Sequence, residues 1–166
     1  MASDILTCSL LRTLAASKTS SVLLELGTGS GMATSWILDG MDATSTLTSI
    51  DNDAVLLEIA RDELGSDKRL DLVLADGGKW LEENKSKTYD FIFADTWHGK
   101  YLLLDETLEM LRNGGLYIID DMLPQPNWPD GHSEKVDTLV SYLESREDLQ
   151  VTKLVWSTGI IVATKK

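Results

Sequence analysis

Residues Val22–Thr34, V-L-L-E-L-G-T-G-S-G-M-A-T, constrain the fold of this chain more than any other stretch. The apolar run Val22, Leu23, Leu24 and Leu26, broken only by Glu25, reads as a strand covered on both faces, as in the middle of a parallel sheet. Gly27, Gly29 and Gly31 then free the backbone and let a ligand lie close to it. Met32 to Leu38 opens a helix whose unpaired N–H groups point back at that ligand. Asp51 stands twenty residues beyond Gly31, after a second apolar-alternating stretch, Leu47 to Ile50. There a carboxylate takes the two hydroxyls of a ribose. Strand, glycine turn, helix, strand and terminal acid in this order point to a bound nucleotide or nucleoside. Glu25 would face the phosphates of a pyrophosphate binder; it suits a ligand with a cationic end, such as the amino group of a methionine moiety.

The rest of the chain repeats the alternation. Helices are expected at Ile5–Ala16, capped by Ser3 or Asp4, at Asp53–Leu64, Lys79–Asn84 and Leu102–Leu111, and at Glu134–Glu144 behind Ser133. Strands are expected at Ala43–Ile50, Leu70–Leu74, Tyr89–Ala94 and Leu116–Ile119, with Asn113-Gly114-Gly115 as a turn. Leu149–Trp156 and Gly159–Ala163 read as an antiparallel hairpin at the sheet edge. The pattern is that of an α/β fold: a doubly wound, mostly parallel seven-stranded sheet, helices on both faces and a C-terminal antiparallel hairpin. At 166 residues, with no repeat or linker, a single domain is expected.

A formal net charge of −12 argues against nucleic acid or an anionic membrane surface as partner. Cys8 is the only cysteine, so no intrachain disulfide exists; it falls in the apolar phase of the first helix, where it packs. No apolar run approaches a membrane span and no leader is evident, so a cytoplasmic location is expected.

Open parallel sheets bind ligands at the carboxyl ends of their strands, and here those ends carry Asp51, Asp76, Asp95, Asp120 and Asp121. Asp95 and Asp120 end successive strands that would be sheet neighbours. Like charges gathered in this way raise one another's pKa unless a cation sits among them, and oxygen ligands alone favour Mg2+ or Ca2+ over zinc. The competing reading is a set of solvated helix caps. After Asp95 come Trp97, an aromatic wall for a flat substrate or a cap on the core, and His98, a general-base candidate near neutral pH. His132 is a weaker candidate for the same role. Trp128, in the aperiodic loop Pro124–Gly131, has no regular face to pack and suits a substrate-covering position.

E-L-G-T-G-S-G at 25–31, I-D-N at 50–52, A-D-G-G at 75–78, F-I-F-A-D-T-W-H-G-K-Y at 91–101 and G-G-L-Y-I-I-D-D at 114–121 together resemble a class I S-adenosylmethionine (SAM)-dependent methyltransferase. More narrowly they resemble the catechol and caffeoyl-CoA O-methyltransferase group, from about residue 20 onward. The resemblance implies a Rossmann-like methyltransferase fold. It assigns Glu25, Gly27, Thr28, Gly29 and Gly31 to the methionine part of the cofactor, Asp51 to its ribose, and Asn52, Asp76, Gly77 and Trp80 to the adenine, with Asp95 beside the cofactor as well. Asp95, Asp120 and Asp121 take the divalent-metal positions, and that metal would lower the pKa of an attacking hydroxyl. Asp95 and His98 are then the catalytic pair, with Trp97 and Trp128 toward the substrate.

Two departures stand out. Asp121 replaces the group's usual Asn, and His98 stands where the group has a lysine base. The N-terminal helix, residues 1–17, is expected on or near the substrate side; with little preceding it, the pocket is open, takes a larger substrate, or is completed by a homodimer. The implied function is O-methylation of a small hydroxylated molecule assisted by a metal. The alternatives are metal-independent O- or N-methylation with His98 as base, and a non-catalytic SAM-binding protein.

Overall fold

The computed structural model describes residues 3–126 and 128–166. Its elements run α1 (Ile5–Ala16), β1 (Val22–Leu26), α2 (Met32–Gly40), β2 (Thr46–Asp51), α3 (Ala54–Leu64), β3 (Leu70–Leu74) and α4 (Gly77–Asn84). They continue with β4 (Tyr89–Ala94), α5 (Leu104–Glu109), β5 (Leu111–Ile119), α6 (His132–Ser145), β6 (Leu149–Leu154) and β7 (Ile160–Lys165). One seven-stranded sheet has the order β3-β2-β1-β4-β5-β7-β6. Strands β1 to β5 are parallel, and β7 runs antiparallel to both β5 and β6.

The continuous apolar runs of β1, β4 and β5 follow from burial on both faces. Leu24, Leu26, Ile92, Ala94, Tyr117 and Ile119 share one core cluster with α4 and α6. Leu23, Phe91, Phe93, Leu116 and Ile118 share the other with α1 and α2, where Cys8 is fully buried. Side-chain alternation therefore puts Glu25 on the α1/α2 face. Asp4 caps α1 by accepting from Leu6 N and Thr7 N, and Asp53 caps α3 in the same way from Val55 N and Leu56 N.

Three expectations give way, the first being the start of α6, which lies at His132 behind Gly131 and not behind a Ser133 cap. β2 begins at Thr46 rather than Ala43, because the Asp42 side chain accepts from the N–H groups of Thr44 and Ser45 and holds that segment in a turn. The helix expected over 102–111 is confined to Leu104–Glu109, and β5 already starts at Leu111, so Asn113-Gly114-Gly115 lies within a strand. The register accounts for this. β4 advances from Tyr89 to Phe91 while β5 advances from Leu111 to Leu116, so the polar Arg112–Gly115 segment bulges out of the ladder. Among the described residues, no helix is long and apolar enough to cross a membrane.

Strand order reverses between β1 and β4. From β1 the chain winds outward through β2 and β3, then returns to β4 on the other side of β1. A crevice forms at the carboxyl ends of two such strands, and both the glycine turn and the Asp95 loop open into it.

Candidate functional site

The turn after β1 is tied to the end of β2. Gly27 N and Thr28 N donate to Ile50 O, and Gly29 N donates to Asp51 Oδ2 at 2.7 Å. Asp51 Oδ1 accepts from Asp53 N at 2.9 Å, so this carboxylate also orders the start of α3. Gly27 has a φ of +107°, and a Cβ there would lie 2.6 Å from Thr96 Cγ2. Only glycine lets the β1 turn and the β4 loop approach this closely.

Two cavities meet at Gly27. One, of about 290 Å³, is bordered by Ser3, Thr28, Gly29, Met32 and Asp95. The other, of about 370 Å³, is bordered by Asp51, Asn52, Gly77, Trp97 and His98. Gly31 borders neither. Its place is behind the turn, where a Cβ would meet Leu64 Cδ1 at 2.9 Å and Ala60 Cβ at 3.1 Å, so it sets the packing of α2 on α3.

Glu25 lies wholly buried in β1. Its Oε2 accepts from Thr34 Oγ1 at 2.6 Å and from Ser49 Oγ at 2.5 Å, while Oε1 has no partner. Burial pushes its carboxyl up to about 7 against the opposing effect of the two hydroxyls, with the charge of Asp51 adding a smaller push in the same direction. An orphaned acid oxygen in the protein interior is the donor-seeking group that a cationic ligand end would satisfy.

On the far side of the turn the structure redistributes the expected roles. Asp76 caps α4 by accepting from Lys79 N, and Gly77 reaches the cavity. Trp80 does not: three residues into α4 it turns inward, joins Leu81 in the core and carries Lys87 Nζ 5.3 Å from its ring centroid. His98 covers this helix start instead. Cβ atoms on Gly77 and Gly78 would lie 3.3 Å from His98 Cβ and 2.8 Å from His98 Nε2 respectively. The histidine thus lines the cavity beside Asp51 and Asn52, and not the pocket of the β4 and β5 carboxylates.

The residue that turns toward the end of β5 is Lys100, which the sequence reading passed over. Gly99, at φ +80°, turns the chain between the two side chains. Tyr117 Oη donates to Gly99 O at 2.5 Å and Gly99 N donates to Leu102 O at 2.7 Å, locking that turn. Lys100 is only 4% exposed, and its Nζ donates to Asp120 O at 2.5 Å. Burial pulls its ammonium below the ordinary lysine value, opposed by the charges of Asp95, Asp121 and Asp120. Asp95 is pushed up to about 7 by burial and then by Asp120 and Asp121; Ser3 Oγ donates to its Oδ2 at 3.3 Å. Asp120 is likewise raised by burial, while the Thr158 hydroxyl and the Asp121 N–H donate to its Oδ1.

Asp95, Asp120 and Asp121 lie at neighbouring strand ends, near enough for Asp120 and Asp121 to push Asp95 up, without converging on a common point. Their donor set does not fit a divalent cation. One Asp120 oxygen already accepts two hydrogen bonds, the Lys100 ammonium lies on the Asp120 backbone carbonyl, and no grouping of three or more metal-ligating side chains occurs among the described residues. The expected metal thus finds no support among the described residues.

Asp95 also borders a third cavity, of about 310 Å³, with Trp97, Lys100, Asp121, Trp128 and His132. Its wall is aromatic. Trp128 and His132 have centroids 4.6 Å apart, Trp97 and Tyr101 5.4 Å, and Tyr101 and His132 5.5 Å. Tyr101 Oη and His132 Nε2 are 3.3 Å apart, and His132 Nδ1 is buried without a partner. Trp97 and Trp128, both expected toward the substrate, therefore line one pocket. Tyr101 and His132 join them through spatial packing of a loop on α6, which no local pattern signalled. A larger cavity, about 710 Å³, opens on the α6 side of Trp97 and Tyr101 and touches neither the glycine turn nor the strand-end carboxylates.

Residues 24–122 match the family described as "Methyltransferase domain". No curated protein matches the chain. Among solved structures, an O-methyltransferase from Bacillus cereus in complex with SAH is 17% identical with a TM-score of 0.86, over 99% of this chain and 83% of that one. The O-methyltransferase TomG from Streptomyces achromogenes, involved in tomaymycin synthesis and solved with SAM, is 20% identical with a TM-score of 0.83, over 99% of this chain and 82% of that one. An SAH-bound methyltransferase from Podospora anserina is 18% identical with a TM-score of 0.82, over 99% of this chain and 80% of that one. At these identities the likeness is one of fold.

Proposed function

The chain belongs to the methyltransferase domain family and has the class I SAM-dependent methyltransferase fold, and we propose that it transfers a methyl group from SAM to a hydroxyl of a small-molecule acceptor. The observation that carries this reading is the glycine turn tied by Asp51 at the strand-order reversal, with the orphaned Glu25 Oε1 buried beneath it. When bound, the cofactor supplies an electrophilic methyl group on a sulfonium.

The chain's own residues divide the remaining work. Gly27, Thr28 and Gly29 give the methionine part a close backbone bed, and Glu25 answers its amino group. Asp51 takes the ribose hydroxyls with the oxygens that already order the turn. Asn52, Gly77 and His98 line the adenine end, where His98 covers the ring and does not act as base. Asp95 borders both the 290 Å³ cavity of the cofactor and the 310 Å³ aromatic pocket, so it stands where the two reactants meet. Its carboxylate, held near neutrality by burial, accepts the proton of the attacking hydroxyl. Trp97, Tyr101, Trp128 and His132 exclude water and hold a planar acceptor against that oxygen. The acceptor class rests on the O-methyltransferase resemblance and on the aromatic walls of the pocket.

Calorimetric titration of S-adenosylhomocysteine (SAH) tests the premise. The folded protein is expected to bind one equivalent, and Asp51→Ala to weaken binding at least tenfold because both the ribose partner and the turn's anchor are lost. Folded protein that takes up no SAH would remove the reading.

A further inference from the structure

We propose that His132 turns the hydroxyl hydrogen of Tyr101 away from itself and into the 310 Å³ cavity, so that Tyr101 selects an acceptor by donating to a carbonyl or ether oxygen on it, apart from the hydroxyl that receives the methyl group. The inference rests on reading that cavity as the acceptor pocket.

His132 is the residue that decides. It is only 8% exposed, and its imidazole is boxed edge-on or at a tilt by Trp128, Tyr101 and Trp97, with ring centroids at 4.6, 5.5 and 5.9 Å. Tryptophan carries no lone-pair acceptor, and the one tyrosine oxygen stands at Nε2, 3.3 Å away. Nδ1 is buried and finds no partner among the described residues. Two arrangements satisfy the contact with Tyr101. If Tyr101 donates to Nε2, the imidazole proton sits on Nδ1 as a buried N–H with nothing to receive it. If Nε2 carries the proton and donates to Tyr101 Oη, Nδ1 keeps only an unused lone pair. Orphaned buried N–H groups are the rarer of the two, so the second arrangement holds. Burial, joined by the charges of Lys100 and Lys135 and opposed by Asp121, pulls the imidazolium below the ordinary histidine value, in keeping with a neutral ring.

The consequence falls on Tyr101. Its oxygen accepts from Nε2, and its own hydrogen is committed to no other group among the described residues. The hydroxyl keeps that hydrogen, since burial and then the charge of Asp121 push it up to about 12. Tyr101 and His132 both border the 310 Å³ cavity, as does Asp95. A ligand there meets a neutral O–H donor at one residue and a proton-accepting carboxyl at another. The first suits an oxygen that only accepts, the second a hydroxyl that gives up its proton. Tyr101 is thus a specificity-determining residue, and His132, acting through it, a positioning residue.

Two readouts on the full chain test this. In the 15N-labelled protein near neutral pH, imidazole 1H–15N correlations are expected to show His132 with Nε2 protonated and Nδ1 bare; loss of its signals in H132Q, or of the other histidine's in H98Q, assigns them. A proton on Nδ1, alone or in an imidazolium, would overturn the proposal without recourse to activity. In SAH-saturated protein, titration calorimetry compares the three hydroxyacetophenones with the matching isopropylphenols, in which a methyl group replaces the carbonyl oxygen. For at least one isomer the ratio of ketone to alkyl affinity is expected to fall about fivefold or more in Y101F. A ratio unchanged for all three isomers in folded Y101F would overturn the proposal, as would a wild type that takes up SAH and none of the six phenols. Loss of SAH uptake itself would remove the proposed function while leaving the tautomer result readable.

Discussion

Glu25 is the residue whose chemistry is least at rest in the free protein. One of its oxygens accepts two hydroxyl hydrogen bonds, the other accepts none, and burial keeps the carboxyl protonated to about 7. A cationic amino group favours the ionised form, so ligand uptake is coupled to release of this proton. The sign follows directly. Below about 7 the protein must give up a bound proton to bind, and above it the carboxylate is already formed. SAH affinity is therefore expected to rise between about pH 6 and pH 8, by at most about tenfold per unit. SAH is the suitable probe because it lacks the sulfonium charge that would also feel Asp95. Glu25→Gln is expected to flatten this dependence and to weaken binding most at pH 8, as read by titration calorimetry in two buffers of different ionisation enthalpy. An unchanged slope in the variant would assign the proton elsewhere.

Among the elements, the Asp95–Leu103 connection between β4 and α5 does the most to organise the pocket. It directs His98 one way and Lys100 the other, and its backbone is pinned by a core residue of β5, since Tyr117 Oη donates to Gly99 O from a fully buried position. Removing that hydroxyl leaves a buried carbonyl short of its donor. Tyr117→Phe is expected to cost about 1–3 kcal/mol in urea unfolding, since the ring keeps its packing while the acceptor loses its partner. A variant as stable as the wild type would show that the Gly99–Leu102 bond alone holds the turn. The same element logic explains α6: Gly131 at φ +78° starts it without a side-chain cap, and the aromatic packing of His132 on Trp128 and Tyr101 anchors its first turn.

For the molecule as a whole, the functional crevice sets a pH dependence of stability opposite to that of most acidic surfaces. Glu25 and Asp95 are both raised to about 7, from values near 4.5 and 3.8. Folded and unfolded chains both hold these protons in strong acid. Between about pH 4 and 7 only the folded chain keeps them, so stability declines as pH rises through that window and levels off above it. For the fully buried Glu25 this is about 3 kcal/mol, and repulsion within a chain of formal charge −12 acts in the same direction. Asp67 and Asp148 oppose it: the Arg69 and Arg146 guanidiniums hold them low, and that stability is lost only in stronger acid. The ligand-free protein is thus expected to melt highest near pH 5 and roughly 5–10 °C lower at pH 8, by circular dichroism. A midpoint that climbs toward pH 8 would contradict the assignment of these two buried acids.

The strand, glycine turn and closing acid proposed as the cofactor cradle were legible in the amino-acid sequence because these parts are contiguous and their geometry is local. An apolar run buried on both faces, a turn needing positive φ, a helix start and an acid closing the next strand each leave their mark within a few residues. Those marks survive in the structure at Val22–Leu26, Gly27–Gly31 and Asp51. The neighbouring placement of Asp95 and Asp120 was legible for the same reason, since both close strands that must lie side by side. The destinations of individual side chains were not. His98 and Lys100 are two residues apart and equally polar, and only the Gly99 turn, held from β5, decides which one turns toward the end of that strand. Trp80 and Trp97 are both tryptophans after an acid, yet one completes the core and the other walls the crevice, according to which packed surface each helix or loop meets. The start of β5 was hidden because its bulged residues, Arg112–Gly115, read as a turn and join the ladder only through β4. Periodicity and turn chemistry act over a handful of neighbours, whereas the charge balance of the pocket is set by contacts between segments far apart in the chain, which exist only once the sheet has closed them together.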